Sequence, residues 1–150
     1  MKMASIDSIH VYVETGSGFE ADTDGSVYLG ICGREFYLDS NADDFEKGAK
    51  QTFKFGLNSN IKNSRLNDPR EQWRRYTKDL EKFPVYIRFE SKGALDKFLG
   101  WHVNRVLVTV NPGTSGYWQF GALKNENESI WLGESVGKVL YLELERRGEL

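Results

Sequence analysis

The sequence predicts an all-β fold, a β-sandwich or a barrel, with one short helix inserted between two strands. Three observations carry this. Short runs alternating apolar and polar residues recur along the chain, seven to nine of them. Glycine, asparagine, aspartate and proline separate the runs. One stretch, 57–82, lacks the alternation and contains good helix formers. At 150 residues the chain has the length of one domain. A domain of that size needs no covalent or metal staple to fold. Its single cysteine, Cys32, excludes an intramolecular disulfide and a multi-cysteine zinc site.

In chain order, the first run covers 6–14, where Ile9, Val11 and Val13 alternate with His10, Tyr12 and Glu14. The glycines and acids of Thr15 to Gly25 make a long turn-rich loop. Val27, Leu29 and Ile31 resume the alternation; after Gly33-Arg34, Phe36 and Leu38 continue it, giving a hairpin or one bent strand over 26–39. Residues 40–48 are polar apart from Ala42 and Phe45. Short strands follow at 52–56 and 84–90, the latter with Val85, Ile87 and Phe89 on one face. Residues 101–110 are strongly β-prone and end in an Asn111-Pro112-Gly113 turn. Segments 116–121 and 128–132 are short strand candidates, and 138–145 closes the pattern.

Within the insert, Asp68-Pro69 has the pattern of an N-cap followed by proline at the first helical position. Trp73, Tyr76 and Leu80 would then share one face of a helix over 69–82. Charge is distributed unevenly. Residues 1–60 hold five Lys/Arg against ten Asp/Glu, and 61–82 hold seven against four. The total, −2, argues against a general nucleic-acid binder. The basic insert, through Trp73, Arg74, Arg75 and Lys78, is a candidate dock for a protein partner or an anionic lipid headgroup.

Gly16-x-Gly18 after a strand mimics a dinucleotide fingerprint, but a turn and acids follow where a helix is required. Asp22-x-Asp24-Gly25 fails the EF-hand pattern at the later ligand positions. Its carboxylates are nonetheless hard oxygen ligands. A second acidic group, Asp39, Asn41, Asp43, Asp44 and Glu46, would meet them if the intervening strands are antiparallel neighbours. Repulsion among these acids would then favour a cation such as Ca²⁺, the alternative being solvated turn residues. His10 and His102 lack metal-ligand spacing, Cys32 lacks a histidine neighbour, and no nucleophile elbow or HExxH occurs.

Several segments together resemble the PLAT/LH2 (polycystin–lipoxygenase–α-toxin) domain. They are Ile9 to Gly16, Thr23-Asp24-Gly25-Ser26-Val27-Tyr28-Leu29, Gly33, Leu38-Asp39, Asp44-Phe45-Glu46-Lys47-Gly48 and Thr52-Phe53. Phe83–Ser91, Gly100-Trp101, Val106-Leu107-Val108 and Ile130-Trp131-Leu132 extend the match over the chain outside 57–82. The resemblance implies one domain over 1–150, an eight-stranded antiparallel β-sandwich of C2-like kind, interrupted by a non-family insert. It also implies a non-catalytic module that targets enzymes and toxins to membranes or protein partners, often with Ca²⁺. The ligand positions carried over are Thr23, Asp24, Asp43, Asp44 and Glu46, with Asp22 as a substitute where the family has another residue. Phe19, at the tip of the first loop, becomes a membrane-contact candidate; Trp101 and Trp131 fall at core positions.

The expectation is therefore a Ca²⁺-linked binding module, not an enzyme, for an anionic lipid surface or a protein partner. A metal-independent adaptor or inhibitor of a lipolytic partner, docking through the insert, is the second reading. A closed barrel carrying a small apolar ligand would fit the strand count but gives the acidic loops no role. No apolar run follows Lys2 and no stretch is long enough to span a bilayer. The expected location is cytoplasmic, peripheral to a membrane.

Overall fold

A computed structural model describes residues 4–71, 73–92 and 100–148. Nine strands occur among them: β1 Ser8–Thr15, β2 Ser26–Ile31, β3 Arg34–Tyr37, β4 Lys50–Gly56, β5 Val85–Glu90, β6 Trp101–Val110, β7 Trp118–Ala122, β8 Ile130–Leu132 and β9 Val139–Arg147. All their pairings are antiparallel, in the order β3-β2-β5-β9-β7-β6-β1-β4, with β8 beside β6. β9 joins the two layers. Its first half pairs with β5, Val85 opposite Leu142, and its second half with β7, Gly121 opposite Glu143. The sheet thus curls into a sandwich.

The alternation in sequence becomes the core directly, because successive strand side chains point to opposite faces. Ile9, Val11 and Val13 of β1, Val27 and Leu29 of β2, Ile87 and Phe89 of β5 and Val106, Val108 and Val110 of β6 are all buried. Trp101 is fully buried and donates its indole N–H to the Thr15 hydroxyl at 3.0 Å. The choice between hairpin and bent strand resolves as a hairpin. Cys32 (φ 55°) and Gly33 (φ 73°) form a two-residue turn whose twist suits the flanking strands. Gly30 gives room to the opposite strand, since a Cβ there would run into the Tyr86 ring.

The helix expected over 69–82 does not form. Gln72 lies outside the described residues, and elsewhere in the segment the only helical piece is a 3-10 turn, Thr77–Asp79. A short helix is marginal on its own, and here tertiary bonds replace it. Ser5 bridges Tyr76, the Ile6 amide donates to the Arg75 carbonyl at 2.9 Å, and the Thr77 amide donates to Ala4 at 2.8 Å. Trp73, at φ 68°, leaves the helical region altogether. The expected stripe is split, with Leu80 buried and Trp73 exposed.

What the insert does instead is cover the sheet's two open edges. Against β4, Asn60 accepts from the Lys54 amide (2.7 Å) and donates to the Thr52 carbonyl (2.8 Å). Against β3, Asn67 accepts from the Tyr37 amide (2.8 Å). Arg34 clamps the strap by donating to the carbonyls of Leu66, Asp68 and Glu71 at 2.8–3.0 Å. Edge strands otherwise present unpaired backbone groups that template association.

Candidate functional site

The loops at the end of the sandwich where β1 finishes are anchored to each other. The Gly16 amide donates to the His102 carbonyl (2.8 Å), the His102 amide to the Ala21 carbonyl (3.0 Å), and the Gly48 amide to the Gly16 carbonyl (2.9 Å). Between the two His102 anchors, a turn closed by the Ala21 amide on the Gly18 carbonyl carries Phe19 outward, 83% exposed. Phe19 is thus held in water by an ordered hydrogen-bond frame rather than left loose.

Two further apolar groups share this end. Trp131, opposite His102 in the β6–β8 pair, is 41% exposed and stacks on the His102 ring at 4.6 Å. Its expected place in the core is corrected. On a three-residue strand with inward neighbours Ile130 and Leu132, the intervening side chain must point out. Val136, 60% exposed, tips the turn closed by the Gly133 amide on the Gly137 carbonyl at 2.9 Å. Sequence reasoning missed Val136; its signal was an apolar residue inside Gly133-Glu134-Ser135-Val136-Gly137.

The two acidic loops do converge. The Thr23 amide donates to the Phe45 carbonyl (3.3 Å) and the Leu38 amide to the Val27 carbonyl (2.9 Å). Between the loops lies an open cavity of about 210 Å³ bordered by Thr23, Asp24, Asp39, Asp43, Asp44 and Lys92. The acids are not equivalent. Asp44 is committed, accepting from the Ser40 amide (2.7 Å), the Ser40 hydroxyl and the Gln51 amide group (3.0 Å). Asp39 pairs with Lys62 at 4.0 Å. Asp24 and Asp43 make no hydrogen bond or ion pair with a described residue. Asp22 and Glu46 are exposed and do not border the cavity. Thr23 is buried, and its hydroxyl accepts from the Gly25 amide at 2.9 Å.

Hence the lining is oxygen-rich and suits a hard cation in kind, but loosely. No group of three or more His, Cys, Asp or Glu among the described residues is arranged to hold a metal ion. Asp24, Asp43 and the Thr23 oxygen would supply the protein's share of a Ca²⁺ shell, well short of the six to eight oxygens that ion takes.

The insert residues lie at the other end of the sandwich. Trp73 is 86% exposed, Arg74 pairs with Asp7, Arg75 is half-buried, and Lys78 is exposed. Cys32 sits nearby, with its thiol aimed at the Tyr76 carbonyl and pushed up to about 12 by burial, so it is protonated and inert at neutral pH.

A curled antiparallel sheet of this order, with solvent-facing apolar tips beside an acidic cavity, defines the class of the fold: a two-layer antiparallel β-sandwich module. A family model described as PLAT/LH2 domain matches residues 9–135, and the chain belongs to that family. Among solved structures, α-toxin from Clostridium absonum superposes with a TM-score of 0.60 at 25% identity, over 93% of this chain and 32% of its own. The α-toxin of an avian Clostridium perfringens strain gives 0.56 at 20% identity, over 93% and 32%. Coral 8R-lipoxygenase, described as calcium-activated through a C2-like domain, gives 0.53 at 20% identity, over 91% and 17%. The chain therefore spans about a third of the toxins' length and a sixth of the lipoxygenase's. No curated sequence matches it closely.

Proposed function

We propose that the chain is a non-catalytic docking module that meets an anionic lipid surface with its Phe19 end, linked by Ca²⁺. The observation that carries this is the frame of backbone hydrogen bonds holding Phe19 in solvent beside Trp131, Val136 and the acidic cavity. Membership of the PLAT/LH2 family supports it. So does the calcium activation ascribed to the C2-like domain of the coral lipoxygenase.

Burying one phenylalanine contributes about 1.5–3 kcal/mol, and Val136 less. That is marginal by itself, so stable attachment takes a second, electrostatic signal. Here the electrostatics alone are adverse, because uncommitted Asp24 and Asp43 would repel anionic headgroups. Asp24, Asp43 and the Thr23 oxygen would hold Ca²⁺ here, and the ion would supply positive charge to offset these carboxylates beside an anionic headgroup. Asp44 holds the loop in shape through Ser40 and Gln51, and Phe19 enters the interface.

The reading is checked by co-flotation with phosphatidylserine and phosphatidylcholine vesicles, in Ca²⁺ and in EGTA. Binding is expected with phosphatidylserine and Ca²⁺ together. Binding that EGTA leaves intact would remove the metal, and absence of binding under all conditions would remove the lipid surface.

A further inference from the structure

The opposite end of the molecule carries a second surface. From β3, Arg34 gathers the insert's carbonyls of Leu66, Asp68 and Glu71 around one guanidinium. Its charge is thus held on backbone oxygens, and Arg75 stands close enough to depress its proton affinity further, after burial. The Nε of Arg75 is itself buried with no hydrogen-bond partner. Neither Arg65 nor Arg75 nor Lys78 has an ion-pair partner among the described residues, whereas Arg70 and Arg74 are paired with Asp68 and Asp7. Arg34, Arg75 and Lys78 thus face one acid of the strap without an ion pair among the described residues, Glu71, and the local balance is positive in a chain whose net charge is negative.

Apolar groups stand among these charges. Trp73 is 86% and Leu66 60% exposed. Trp73 also holds a left-handed φ of 68°, a conformation that costs a bulky side chain energy and persists only where its surroundings impose it. The bonds that impose it lie just beyond: the Arg75 amide on the Pro69 carbonyl at 2.9 Å and the Ile6 amide on the Arg75 carbonyl. An exposed indole on a constrained backbone, two residues from the unpaired Arg75, has the composition of an interface anchor.

We propose that this end, through Trp73, Arg75 and Lys78, docks an acidic polypeptide segment that carries apolar side chains. Charge complementarity selects an acidic occupant. Geometry selects polypeptide over lipid: β1 alone separates the two ends by about 25 Å, so a module seated on a bilayer by Phe19 turns Trp73 away from it. That choice rests on the membrane reading of the Phe19 end.

The experiment measures fluorescence anisotropy of a labelled Asp/Glu–Leu–Phe peptide, and of a Lys–Leu–Phe counterpart, at physiological salt, with vesicle flotation in parallel. Saturable binding of the acidic peptide only is expected. Lys78→Glu and Trp73→Gly should each weaken it about tenfold. Trp73→Gly relieves the backbone and should keep Tm at or above the parent's, which separates lost contact from lost folding. Flotation should be unchanged in both variants. Equal binding of the two peptides, or indifference to both variants, overturns the proposal. Loss of flotation in these variants would make the surface a lipid contact instead, and loss of flotation confined to Phe19→Ala would leave it standing.

Discussion

Phe19 stands in water because the hydrogen bonds on either side of it belong to other residues, and its own side chain packs on nothing that folding requires. Phe19→Ala should therefore leave Tm unchanged and weaken vesicle binding by about tenfold, measured by lipid titration. Trp101 is the reverse case. Thr15→Val removes the partner that its indole N–H has among the described residues, in a fully buried setting, and should cost about 1–3 kcal/mol by urea denaturation. Glu145 is held below the usual carboxylate range, first by its hydrogen bonds to Arg105 (2.9 Å), against the opposing effect of burial. A depressed folded pKa means stability present above the unfolded value and lost as pH falls through the folded one. Glu145→Gln should accordingly flatten the loss of Tm below about pH 4.5, read from melts across an acid series. Some of this was legible in sequence: Phe19 at a loop tip, and the acids that now border one cavity. That Asp44 is spent on Ser40 and Gln51 while Asp24 and Asp43 remain uncommitted depends on loop geometry that no spacing encodes.

At the scale of elements, the strands were legible because each buries one face, and burial of alternate residues leaves a period-two trace. The insert was not, because its conformation answers to the sheet rather than to its own propensities. Asp68-Pro69 begins a helical pattern, and Asp68 does accept from the Arg70 amide at 2.9 Å, but the chain then turns at Trp73 to pair with residues 4–6. Two polar side chains in the stretch without alternation, Asn60 and Asn67, prove to be edge caps. Asn60→Ala and Asn67→Ala should each cost about 1–2 kcal/mol. Removing residues 57–71 and rejoining the chain should produce a β-rich protein that self-associates, as seen by light scattering, since both β3 and β4 would be left open.

Over the whole molecule, the near-zero net charge conceals two ends of different character. An acidic end bears Phe19, Trp131 and Val136, and a basic end bears Trp73 and Leu66. The sandwich holds them apart, so a module seated on a surface by the first, as proposed, would turn the second away from it. The buried and protonated Cys32 makes this orientation directly testable, because a thiol label will react with an introduced cysteine and spare the native one. Gly18 has open space where a side chain would go, and Lys78 is exposed. The decisive measurement places an environment-sensitive fluorophore at Gly18→Cys or at Lys78→Cys and adds phosphatidylserine vesicles with Ca²⁺. A blue shift at Gly18→Cys, reversed by EGTA, with none at Lys78→Cys, is the predicted result. A shift at Lys78→Cys with Gly18→Cys remaining in water would contradict the account.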